Sequence, residues 1–415
     1  MNSRERVLLA CNHREADRLP IDCGSMRSTG ISAITYNKLK TTLGLKQPCL
    51  LYDFQQQLAY VGDELRERFH VDSMDIGEAF IGDLDKEWKP WVLPDGTDCL
   101  IPNYMDARRE ENGITYLYDS SGIRVGQQPP SSFYVDQVFF PYGDLDSIPD
   151  ELDEQVYSHT MWDVPALPFN LDLANSEEDY REFVSVIKAF RKKTDRALMI
   201  SIGHSFLEFG GYIRRPENFL CDILLDRSGT DRLLGVLEER YLVKLDRILS
   251  EVADDIDIVQ FGDDLGTQNG PWMAPEMIRD IFVPHYKKLW DYVHNHSKCK
   301  VFMHNCGAIS LLLGYLIDAG LDIINPVQTT AANMDPVMLK REFGKDLTFW
   351  GGGCEAQGVL TTGTPEEIRD QVRKRIEIFG KDGGFVFNQI HNVLANVPVE
   401  NVLALYDAAY EYGKY

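Results

Sequence analysis

The sequence predicts an α/β protein, a (β/α)8 TIM barrel. Three observations carry that expectation: apolar strand-like runs that end in Gly or a polar residue, amphipathic helical stretches between them, and helix-start signals at the joins. ALMISIG (197–203), IDIVQFG (256–262), KVFMHNCG (300–307), LDIINPV (321–327), LTFWGGG (347–353) and GFVFNQ (384–389) share the strand form. PEMIRDIFVPHYKKLWDYVHNH and TPEEIRDQVRKRIEIFG are the clearest helices between them. Buried strands alternating with helices imply parallel βαβ units.

Each element has a local reason. Thr364-Pro365-Glu366-Glu367 reads as an N-cap, a Pro at the first helical position and acids in the first turn. Ala274-Pro275-Glu276 opens a helix similarly, without the capping hydroxyl. RLPIDCG (18–24) and SMDIG (73–77) supply two further strands. From about 85 to 145 the pattern changes, with PDGTD, ENGIT and SSGIR punctuating alternating segments such as ITYLYD. That region reads as β-hairpins inserted in the N-terminal half of one barrel domain spanning 1–415.

Composition excludes several classes. The net charge of −23, from 42 Lys+Arg against 65 Asp+Glu, disfavours nucleic acid and anionic membranes as partners. No run approaches the roughly 18 apolar residues of a membrane span, and the charged N-terminus lacks a signal-peptide pattern, so the expected location is cytoplasmic. The eight cysteines are then expected as thiols. Six of them (11, 23, 49, 99, 221 and 299) have no His or acid partner at a recognisable spacing. Oligomeric state is not fixed by these features, and a homodimer is allowed.

Barrel chemistry sits at the C-terminal ends of the strands. There the sequence places His304-Asn305-Cys306, with Cys354 after Gly351-Gly352-Gly353. His304 and Cys306, two apart in an extended segment, point the same way. One imidazole and two thiolates suit Zn2+ and leave a position for substrate. The same residues also fit a core cysteine, a hydrogen-bonded histidine and an unrelated thiol.

Asp264, after the 256–262 strand, is a candidate for orienting substrate, for general acid work or for a fourth metal contact. Its loop acids equally suit solvation and helix capping. His204 and Glu208 follow the 197–203 strand, where a helix-start pair is the competing reading. Asn388 and His391 lie at the last strand; His391 would hydrogen-bond a substrate or a rim carbonyl. Asn325 and Gln328 would orient a ligand or the groups behind it.

The segments FGDDLGTQNGPWMAPEMIRDIFVPHYKKL, KVFMHNCGAISLLLGYLIDAGLDIINPVQ, GVLTTGTPEEIRDQVRKRI and GGFVFNQIHNVLANVPVENVLALYDAAYEY make the C-terminal two fifths resemble the uroporphyrinogen decarboxylase superfamily. The opening RERVLLACNHREADRLPIDCG also fits. The resemblance implies a (β/α)8 barrel and one of two activities, haem-pathway decarboxylation or corrinoid-dependent methyl transfer. The methyltransferase branch is similar in carrying an H-x-C…C zinc motif, which His304, Cys306 and Cys354 match. The decarboxylase branch carries an R-Q-A-G-R-Y segment after the first strand; here the region reads DCGSMRSTGISA, with Arg27 alone. A polycarboxylate substrate wants clustered guanidinium groups.

The resemblance therefore implies a zinc methyltransferase of the O-demethylase type. It would take methyl from a small methoxylated, aromatic donor and pass it to Co(I) on a partner corrinoid protein, since no D-x-H-x-x-G corrinoid segment is present. The alternatives are methyl transfer from a methylcorrinoid to a thiol, porphyrinogen decarboxylation, and a non-catalytic barrel that binds a corrinoid or tetrapyrrole. One departure concerns the strand after H-x-C, which ends Asn325-Pro326-Val327-Gln328, where related barrels place a Glu. The fourth ligand is then water, substrate, Asp264 or Gln328.

Overall fold

The structure is a computed structural model that describes residues 1–152, 156, 159–163, 176–203 and 205–415. In chain order, β1 (Ile31–Ser32), β2 (Leu51–Asp53) and β3 (Leu58–Ala59) form a small antiparallel sheet, followed by β4 (Ser73–Asp75). The hairpin strands are β5 (Trp88–Val92), β6 (Asp98–Pro102), β7 (Asp106–Arg109), β8 (Thr115–Tyr118), β9 (Arg124–Gln128) and β10 (Asp136–Gln137). The barrel then continues with β11 (Ala197–Gly203), β12 (Ile258–Gly262), β13 (Lys300–His304), β14 (Ile323–Asn325), β15 (Thr348–Trp350) and β16 (Phe385–Val386).

Seven strands form one parallel sheet in the order β16-β15-β14-β13-β12-β11-β4. Ile21 joins its two edges, bridging Val71 on one side and Phe387 on the other, both in parallel. Asp22 N–H donates to Phe387 O at 2.8 Å, and Asp72 N–H donates to Ile21 O at 2.8 Å. The chain around Ile21 is thus the stave that closes the curled sheet, as the 18–24 run predicts.

Alternation along the strands sorts the core. Ala197, Met199, Ile258, Phe302, Ile323, Trp350 and Val386 form one buried cluster with Val7, Ala10 and Cys11 of the N-terminal segment. Their strand neighbours Leu198, Ile200, Val259, Val301, Met303 and Phe349 belong to the larger cluster that the helices cover. Helix Ser3–Ala10 lies across the strand starts, where Arg4 N–H donates to Asp195 O and Gly384 N–H to Ala10 O. The opposite, C-terminal rim is left for a site.

The turn punctuation is borne out. Leu93 pairs with Thr97 across Gly96, Glu110 with Ile114 across Gly113, and Asp119 with Ile123 across Gly122. Those three glycines have φ of 86°, 82° and 79°, the left-handed region that glycine enters freely. The hairpins form a two-stranded sheet, β5-β6, and a four-stranded one, β10-β9-β8-β7. Helix Pro365–Phe379 begins on the predicted N-cap Thr364, which the structure shows as a capping box, with Thr364 N–H donating to Glu367 Oε2 at 2.8 Å. Among the described residues no helix is long and apolar enough to cross a membrane, and the eight cysteines are free thiols.

Candidate metal centre

His304 ends β13, and its ring is fixed from behind. Its Nδ1 stands 2.6 Å from Asn325 Oδ1. The orientation of that amide is set by its own Nδ2, which donates to Trp350 O at 2.8 Å. Asn325 Oδ1 must therefore accept, so Nδ1 carries the proton and Nε2 presents its lone pair. Nε2 faces Cys306 Sγ at 3.4 Å.

Cys306 is placed by two loops that zip together. Asp264 Oδ1 accepts from Cys306 N–H at 2.7 Å and lies 3.9 Å from His304 Nε2. Leu265 N–H donates to Asn305 Oδ1 at 3.0 Å, and Ala308 N–H to Thr267 O at 2.7 Å. Gly307 turns the chain with φ 93°, and a Cβ there would lie 2.5 Å from the carbonyl carbon of Gly266. Its N–H donates to Gln328 Oε1 at 2.8 Å. Burial, followed by the charges of Asp264 and Glu208, pushes the Cys306 thiol well above its ordinary range.

His391, just past β16, completes the cluster. Its ring meets that of His304 edge to face at 5.3 Å. The donor atoms of His304, Cys306 and His391 all lie within 4.8 Å of one another, and no other such group of His, Cys, Asp or Glu converges among the described residues. Burial, then the neighbouring His304, lowers His391 to about 3, so its imidazole is neutral. Asn392 N–H donates to its Nδ1 at 2.9 Å. A metal bound through either nitrogen would displace that one hydrogen bond, a cost of about 1 kcal/mol.

The other sequence-predicted residues fall into distinct places. Cys354 does not join the cluster: it is fully buried, its carbonyl accepts from Ile390 N–H at 2.8 Å, and burial raises its thiol to about 12. The i, i+2 geometry of His304 and Cys306 is visible in sequence, but the third converging side chain comes from the last strand. Asn325 and Gln328 act behind the site, as described. Asn388 is fully buried and donates to Asp22 O at 3.0 Å, tying the last strand to the closing stave. His204 lies outside the described residues.

Glu208 sits beside the two loop acids. Tyr212 OH donates to its Oε1 at 2.9 Å. Burial, then the charges of Asp264 and Asp263, raises its carboxyl well above the ordinary range. Asp263 has a different task. Its carboxylate accepts from Phe206, Leu207 and Glu208 N–H at 2.7–2.9 Å and from Tyr286 OH at 2.5 Å, capping helix Leu207–Arg214. Arg27, the lone arginine after the first stave's DCG, is paired with Asp53 at 3.0 Å.

The cluster's chemistry suits zinc. Two donors at ordinary Zn–N and Zn–S lengths on a tetrahedron stand roughly 3.5 Å apart, against the 3.4 Å between His304 Nε2 and Cys306 Sγ. Neutral imidazoles and a thiol able to deprotonate are the donors zinc takes.

Comparison with known proteins agrees with this architecture. The sequence profile described as "Uroporphyrinogen decarboxylase (URO-D)" matches residues 161–412. Among solved structures, the chain is similar to a methyltransferase from Methanosarcina mazei, with TM-score 0.59 and 13% identity over 99% of each chain. At that identity the likeness is one of fold. A structure described as a vitamin-B12 independent methionine synthase from Listeria monocytogenes has TM-score 0.35 and 13% identity, over 57% of this chain and 70% of that one, too low to bear on the reading. A comparison with curated sequences finds no match.

Proposed function

Because the chain belongs to the uroporphyrinogen decarboxylase family, whose fold it carries with the His304–Cys306–His391 cluster at the barrel rim, we propose that it is a zinc-dependent methyltransferase. It takes a methyl group from a small methoxylated, aromatic compound and passes it to Co(I) on a partner corrinoid protein. The convergence of the three donors, with the His304 tautomer fixed by Asn325, is the observation that carries this reading. His304, Cys306 and His391 are the proposed ligands; Cys354 is a fully buried thiol outside that group of three. The Methanosarcina neighbour, itself described as a methyltransferase, supports the direction of the reading.

Bound zinc would supply Lewis acidity at the ether oxygen. The chain's own groups then account for the proton. Glu208, whose carboxyl burial and the neighbouring acids push well above its ordinary range, gives a proton to the oxygen as the O–CH3 bond breaks. The methyl carbon bonds to cobalt, which is formally oxidised from Co(I) to Co(III), and a phenol is released. Asp264 positions Cys306 through its backbone N–H. Decarboxylation of a polycarboxylate is disfavoured because Arg27 is already neutralised by Asp53.

The test is a reconstitution. With a reduced corrinoid protein and a panel of methoxylated aromatics, the chain should generate methylcobalamin absorbance and free phenol. His304→Ala should abolish both, and Glu208→Gln should slow turnover by roughly 10²- to 10⁴-fold, the usual contribution of a general acid. Activity on methylcobalamin only when a thiol is supplied, with no methyl ether accepted, would replace this reading with methyl transfer to a thiol.

A further inference from the structure

A cavity of about 240 Å3 opens where the inserted hairpins meet the barrel beside the end of β4. Tyr52, Tyr60, Trp88 and Tyr104 line it, together with Glu87 and Glu182. None of the residues that line it is Lys or Arg. Tyr52 and Tyr60 stack at 4.1 Å with their planes 12° apart, and Trp88 meets Tyr60 edge-on at 6.5 Å. The indole is held in place because its N–H donates to Ile81 O at 2.8 Å. Tyr104, 40% exposed, stands at the mouth, and Glu87 and Glu182 are also exposed.

Aromatic rings with carboxylates at the mouth form an environment of one sign, because ring faces carry negative potential. Arg27, whose charge acts on Tyr52 and Tyr104, is paired with Asp53 at 3.0 Å. The cavity is smaller than the roughly 300–1,000 Å3 of drug-sized sites, so its occupant is small.

We propose that this cavity binds a small quaternary ammonium compound, its charge seated against Tyr60, Trp88 and Tyr104. The proposal does not rest on the metal reading, because none of the proposed metal ligands lines the cavity.

The test uses choline and its uncharged carbon isostere, 3,3-dimethyl-1-butanol, titrated calorimetrically into the full chain, with and without a chelator. Choline should bind, its isostere should bind roughly tenfold more weakly, and the chelator should change neither result. Tyr104→Ala should weaken choline by roughly threefold to tenfold, while Tyr104→Phe, which keeps the ring, should retain it. Equal binding of choline and its isostere would overturn the proposal, as would no choline binding or an unchanged affinity in a folded Tyr104→Ala protein. Loss of choline binding on chelation would also overturn it, by assigning the ligand to the metal centre.

Discussion

At the residue scale, the proposed centre depends on side chains that never meet substrate. Asn325 is fully buried, and it fixes which nitrogen of His304 is free. Groups that hold a ligating histidine in one tautomer typically contribute tenfold to a hundredfold in metal affinity. Asn325→Ala should therefore lower zinc affinity by about that factor, measured by competition with a chromophoric chelator. Asn325→Asp, which keeps the acceptor, should lose less. Unchanged affinity in a folded Asn325→Ala protein would remove it from this role. Individual residues were only partly legible in the sequence. His304, Cys306 and Asp264 follow from strand ends and from i, i+2 geometry. His391 reads as a polar rim residue, because nothing local connects position 391 with 304; closure of the barrel does. Cys354 carries the same local signal as Cys306, a thiol after a barrel strand, yet it is fully buried and is not among the three donors that converge. Asp263 and Asp264 are adjacent, so spacing cannot tell the helix cap from the acid beside the thiol.

At the element scale, the ends of the barrel strands hold buried acids as well as the site. Asp75 ends β4, and its carboxylate accepts from Gly77 N–H at 2.7 Å. Burial raises it to about 7, a shift that this hydrogen bond and Arg27 only partly oppose. The unfolded chain ionises this group near its ordinary value of about 4. Between those values the folded protein holds a proton that the unfolded chain releases. Its contribution to stability is therefore complete below about 4 and is lost as pH rises through about 7. Asp75→Asn keeps an acceptor for Gly77 and removes the titration. Its melting temperature relative to the unsubstituted protein should rise between pH 5 and pH 8, and an offset independent of pH would contradict this. Elements of this kind were the most legible part of the sequence, because apolar runs and Gly turns are local. The 18–24 run was recognisable as a strand, but it forms only a bridge at Ile21, with ladder hydrogen bonds to Asp72 on one side and, through Pro20 and Asp22, to Phe387 on the other.

At the scale of the whole molecule, barrel closure converts distant sequence into one site. Residue 304 ends β13, residue 306 follows it and residue 391 follows β16, while Asn388 ties the last strand to Asp22 of the closing stave. The hairpin insertion adds the aromatic cavity, whose rings come from four separate segments and leave no periodic trace in the sequence. The proposed metal centre is made of one thiolate and two imidazoles. Zinc analysis of the full chain purified without chelator, combined with X-ray absorption at the zinc edge, tests it most directly. The expected result is about one zinc per chain with one sulfur and the remaining donors nitrogen or oxygen, unchanged in Cys354→Ser and lost in Cys306→Ser and His391→Ala. A chain that binds no zinc would contradict the claim, and two sulfurs at the metal, one of them lost in Cys354→Ser, would put Cys354 in the place assigned to His391.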